Sequence, residues 1–138
     1  SPELSLKKGN YSKIKPNKND LIEIKNGKKY LKKLNAHNHV QGLVFRNGKI
    51  LITEASSGTK KMLQSIIPNK KKEGILIKLP KAKQDLRIDL PTIGLDTLID
   101  CKKAGLKGIV LKHKQNIFLD KEKCIKYANK NLIFINII

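Results

Sequence analysis

Apolar residues recur along this chain with two periods, and each change of period marks an element. Residues 1–19 are polar, carry Pro2 and Pro16, and read as a tail or linker. Leu21, Ile24, Leu31 and Leu34 then follow helical spacing, which predicts a helix from a cap at Asn19 or Asp20 to about Leu34. HNHVQGLVFRNGKILITEA holds two β-rich runs around Asn47-Gly48, a strong hairpin signal. SSGTKKMLQSII turns from strand to helix and stops before Pro68. Lys70 to Lys72 read as a loop, and GILIKLP (74–80) as a short apolar strand.

LDTLIDCKKA places Leu95, Leu98, Ile99 and Cys101 at helical spacing, with Gly105 as the stop. GIVLK and NIFLD read as two strands joined across His113 to Gln115, with His113 at a hairpin tip. Asp120 is positioned to cap a short helix through Ala128, and NLIFINII is a final buried strand. Strands and helices are mixed and at least one hairpin is present. The expected fold is therefore α/β or α+β: a single domain over 20–138 with a mixed β-sheet flanked by short helices.

With 138 residues the chain can bury roughly two-thirds of its unfolded surface, enough for a core without disulfides or metals. No apolar run is long enough to span a bilayer, and the N-terminus lacks a signal-peptide pattern. Cys101 and Cys124 both fall at apolar helix positions, which suits reduced, buried thiols in a cytoplasmic protein.

Charge changes the picture less than its size suggests. The net charge is +19, yet all the basic residues except Arg46 and Arg87 are lysines, and Ile and Asn abound. AT-rich codon usage produces that composition, so the lysines are weak evidence for nucleic acid. QDLRIDLPTIG, from Gln84 to Gly94, runs against the trend. Asp85, Asp89, Asp96 and Asp100 crowd into sixteen residues that begin in it, with one of the two arginines among them.

If QDLRIDLP is extended, Leu86, Ile88 and Leu90 share one face and Asp85, Arg87 and Asp89 the other. An edge strand with a row of salt bridges is one reading. Exposed ion pairs contribute only about 0–1 kcal/mol, a poor reason to gather scarce acids and a scarce Arg. Lys78, Lys81 and Gln84 lead into the row at intervals of three. Acids that hold a divalent metal beside bases that hold an anion are what a phosphate ester or anhydride requires.

SSGTK, from Ser56 to Lys60, sits between a predicted strand and helix and offers either an anion nest or a Ser/Thr helix cap. It lacks P-loop spacing. His37, His39 and His113 lie in polar loops, and none pairs with a Cys at metal-ligand spacing. Aromatics make up 4% of the chain, too few for base-stacking platforms.

At these residues the chain resembles the UDP-2,3-diacylglucosamine pyrophosphatases of lipid A biosynthesis, the type unrelated to the calcineurin-like enzymes. The matching signature reads Lys78, Lys81, Gln84, Asp85, Arg87, Asp89, Pro91, Thr92 and Gly94. Gln41 before an apolar strand, Glu54 before Gly58-Thr59 and Met62-Leu63, AGLKGIVL, and Leu119-Asp120 follow in the family's order. The opening SPEL matches the segment that leads into the family's C-terminal half.

The resemblance implies a Mg²⁺-dependent enzyme, cytoplasmic and peripheral to the inner membrane of Gram-negative bacteria. It would cleave UDP-2,3-diacylglucosamine to UMP and 2,3-diacylglucosamine 1-phosphate. An N-terminal domain, which this chain lacks, would enclose the substrate against it. Asp85, Asp89 and Arg87 are then the expected catalytic residues. Asp85, Asp89 and Glu54 are the expected Mg²⁺ ligands. Lys78, Lys81, Gln84, Thr92, Gly58, Thr59 and Gln41 are expected to bind substrate. Two departures stand out. Ser57 and Lys60 replace the Glu and Asp that flank the family's Gly-Thr, and Ala82 replaces the usual Pro. The competing expectation is a non-catalytic basic module that docks on RNA or an anionic membrane.

Overall fold

The computed structural model describes residues 7–38, 40–68, 71–79, 92–113 and 117–138. Helix α1 (Lys18–Asn38) is capped at Asn17, two to three residues earlier than the pattern suggested. Asn17 Oδ1 accepts the Asp20 N–H at 2.8 Å, and Asp20 Oδ2 accepts the Asn17 N–H at 2.9 Å. This reciprocal capping box satisfies two otherwise orphaned donors. Asp20 also pairs with the Lys107 ammonium, which draws it inward. Ile24 and Leu31 share that inward stripe. Leu21 does not join them: it is 52% exposed.

Strands β2 (Gly42–Arg46) and β3 (Lys49–Thr53) form the expected hairpin. Asn47 and Gly48 have φ of 52° and 78°, the type I′ geometry that matches strand twist. Strands β1 (Gly9–Asn10), β4 (Ile75–Lys78), β6 (Gly108–Leu111) and β8 (Phe134–Ile137) complete a mixed six-stranded sheet ordered β1-β8-β6-β4-β2-β3. Within the segment read as tail or linker, β1 pairs antiparallel with β8, and buried Ser12 accepts the Ile135 N–H at 2.9 Å.

β4, β6 and β8 run parallel, and β3 runs with them because antiparallel β2 lies between it and β4. Helices α2 (Gly58–Gln64), α3 (Leu95–Lys103) and α4 (Lys121–Lys130) connect these strands in succession. Crossovers of one hand that advance in one direction leave their helices on one face. Accordingly Met62, Leu63, Leu98, Cys101, Cys124 and Ala128 share a core with Val44, Leu76, Ile109 and Ile135. α1 covers the other face, where Ile24 and Leu31 meet Phe45, Ile75, Ile77 and Val110.

NIFLD does not return as a hairpin. β6 is already paired on both sides, so no edge is left for it. Instead β7 (Ile117–Phe118) pairs in parallel with β5 (Thr92–Ile93) in a separate two-stranded sheet just ahead of α3 and α4. Asp120 stands at the N-cap of α4, but its side chain makes no capping hydrogen bond, and its φ is 50°. Arg46 explains one of the two scarce arginines. Its Nε and Nη2 donate to the Glu73 and Ala104 carbonyls at 3.0 and 3.1 Å, a fork that lysine cannot reproduce.

Both cysteines are free and buried. Burial, then Asp100, pushes the Cys101 thiol far up; burial, then Asp120, raises Cys124 to about 11. Among the described residues no helix is long and apolar enough to cross a membrane.

Candidate functional site

Alternation along β4 sends Ile75 and Ile77 toward α1, and Leu76 and Lys78 toward α2–α4. Lys78 ends the strand, at the carboxyl edge where open α/β sheets hold their ligands. Three neighbouring segments meet it there. Gly42, the first residue of β2, is its register partner. The Gln41 carbonyl accepts the Leu79 N–H at 2.9 Å. Glu54, just past β3, donates its N–H to the Gly42 carbonyl at 2.8 Å.

Thr59 enters from the first turn of α2 and closes the group. Lys78 Nζ donates to Glu54 Oε1 at 3.2 Å and also to Thr59 Oγ1. The Thr59 hydroxyl in turn donates to Glu54 Oε1. The Lys78 and Glu54 side chains are each only 12% exposed. A lysine ammonium has three protons, and two are used here. Such a partly buried, hydrogen-bonded cation can neutralise an oxyanion far better than a solvated one.

Gly42 is part of the geometry. A Cβ there would lie 3.1 Å from Glu54 Oε2, tighter than ordinary packing. In the sequence, Gly42 is marked only as a glycine at the head of an apolar strand.

The expected site residues divide cleanly. Glu54, Thr59 and Lys78, far apart in sequence, are brought into direct contact. Gln41 adjoins them through its backbone. Gly58 opens α2, but its N–H bonds the Ala55 carbonyl at 3.0 Å and is not presented to an anion. Ser57 holds the N-cap position without a side-chain capping bond, so the Ser/Thr helix-cap reading of SSGTK does not hold. Lys60 is exposed on the same turn.

Lys81, Gln84, Asp85, Arg87 and Asp89 lie outside the described residues, as does His39. The segment that carries them joins Leu79, bonded to Gln41, to Thr92, which opens β5. His113 follows β6, and its N–H meets the Ile138 carbonyl at 2.9 Å. Among the described residues no cluster of three or more His, Cys, Asp or Glu could hold a metal. Glu54 is the one expected Mg²⁺ ligand described, and two donors already hold its Oε1.

Residues 7–136 match the family model described as the LpxI C-terminal domain. The UDP-2,3-diacylglucosamine pyrophosphatase LpxI of Caulobacter vibrioides is 30% identical over 141 residues, covering 96% of this chain and 50% of that protein. The chain thus spans about half the length of the curated relative it matches.

Proposed function

The chain belongs to the LpxI C-terminal domain family, and from that membership we propose that it is the C-terminal half of a UDP-2,3-diacylglucosamine hydrolase in lipid A biosynthesis. The products are UMP and 2,3-diacylglucosamine 1-phosphate. The observation that carries this reading is the Lys78–Glu54–Thr59 group at the carboxyl edge. It places a preorganised cation where the acid-rich signature begins.

Water adds to one phosphorus of the pyrophosphate, and the bridging P–O bond breaks. Lys78 directs its remaining N–H at a phosphate oxygen, with Lys81 and Arg87 as further cations. Asp85 is the essential carboxylate, as base toward water or as ligand, and Asp89 supports it. Gln84 and Thr92 orient substrate or water. Mg²⁺, when bound, supplies charge neutralisation at the phosphates. Because Glu54 is the sole described acid in contact with this group, the metal reading rests on Asp85 and Asp89, whose hard oxygens suit Mg²⁺.

The acyl chains belong at a membrane surface. Peripheral attachment to the cytoplasmic face of the inner membrane follows from that substrate rather than from the +19 charge. A non-catalytic basic module for RNA would gain nothing from a lysine held on a glutamate. The test is UMP release from UDP-2,3-diacylglucosamine by the full-length protein, with and without Mg²⁺. Release is expected, and it should vanish in Asp85→Ala. Release that ignores both EDTA and Asp85→Ala contradicts the proposal.

A further inference from the structure

Glu54 looks, from its place in the sequence, like a third metal ligand. Its contacts describe a different task. Oε1 takes hydrogen bonds from both Lys78 and Thr59. Those two donors also bond each other, so the three side chains form a closed triangle. Oε2 is backed by Gly42, the residue opposite Lys78 in the β2–β4 register, and any Cβ at that position would crowd it. One oxygen of the carboxylate is thus held by two donors, one of them a cation. Oε1 already carries the Lys78 ammonium at 3.2 Å, so a Mg²⁺ on that oxygen would compete with a cation in place.

We infer that Glu54 is a positioning residue, not a metal ligand: with Thr59 it pins the Lys78 ammonium at the sheet edge, so that the free N–H addresses the substrate's phosphate. Thr59 has a specific part in this. It alone both accepts from Lys78 and donates to Glu54, which fastens the first turn of α2 to the end of β4. The triangle therefore locks the position of the cation before substrate arrives, and preorganisation of this kind acts on the transition state. The inference deepens the proposed hydrolase reading and rests on it.

The full-length protein provides the test, through UMP release titrated with Mg²⁺. Glu54→Gln is expected to lower kcat about ten-fold while the half-saturating Mg²⁺ concentration stays within about two-fold. Combined with Lys78→Met it should add almost nothing, because it acts through Lys78. Thr59→Val should resemble Glu54→Gln, and Thr59→Ser should restore activity. A rise of about ten-fold or more in half-saturating Mg²⁺, additive with Lys78→Met, overturns the inference and makes Glu54 a ligand.

A second readout is independent of turnover. An immobilised lysine ammonium gives a slowly exchanging ¹⁵N-detected signal. The Lys78 signal should be present in the wild type and lost in Glu54→Gln. If UMP is never released, the hydrolase reading fails. The triangle itself fails only if the Lys78 signal is absent or survives Glu54→Gln unchanged.

Discussion

Gly42 is where one atom decides the geometry of the site. A methyl group there meets Glu54 Oε2 at 3.1 Å, so the carboxylate must shift by a few tenths of an ångström and loosen its hold on Lys78. Gly42→Ala should cost about ten-fold in kcat/KM with little change in thermal midpoint, since the strand pairing survives. Assays of both quantities on one preparation check this. The two thiols illustrate the opposite case, residues whose surroundings suppress chemistry. Cys124 is raised from 9.0 to about 11, and Cys101 further. At about pH 8, iodoacetamide should label neither cysteine in the folded protein and both after unfolding. A thiol raised in the folded state adds stability that is full below its unfolded pKa. That stability is lost as pH rises through the folded value. The denaturation midpoint should therefore fall between 9.0 and about 11 for the Cys124 contribution. Both thiols were legible as buried because each falls at an apolar helix position. Gly42 was not, because the need for an empty Cβ arises from Glu54, distant in sequence.

Packing between elements concentrates at Gly108. It pairs with Phe134 in the β6–β8 register, and an added Cβ would lie 2.1 to 2.3 Å from three ring atoms. Gly108→Ala should destabilise the fold by about 1–3 kcal/mol, read as a lowered denaturation midpoint. The elements differ in how plainly the chain announced them. Asn47-Gly48 dictated the hairpin because both residues tolerate positive φ, a local requirement. The start of α1 lies earlier than Asn19 or Asp20 because Asn17 and Asp20 bond each other reciprocally, a contact in which Asp20 serves as the third helical residue and not as the cap. The partner of β7 could not be read locally. Ile117 and Phe118 pair with Thr92 and Ile93 only because β6 has no free edge, a fact of the assembled sheet.

Across the whole molecule, one set of crossovers builds the sheet and delivers its edge. β3, β4, β6 and β8 run the same way, so every loop that follows them opens at one end. Glu54, Lys78 and Leu79 all emerge there. The mixed α/β class was legible from alternating periods, and the family from the spacing of Lys78, Asp85, Arg87 and Asp89. The contact among Glu54, Thr59 and Lys78 was not, because strand order and a helix start must combine to form it. The +19 charge proved a poor guide to this site, where Lys78 is held on an acid. The central claim is that Lys78, so held, neutralises the pyrophosphate. The most direct measurement is UMP release from UDP-2,3-diacylglucosamine by full-length wild type and Lys78→Met, with folding checked by circular dichroism. A loss of about 10²–10³-fold in kcat with the fold intact is the predicted result. A folded Lys78→Met protein that turns over at the wild-type rate would contradict it.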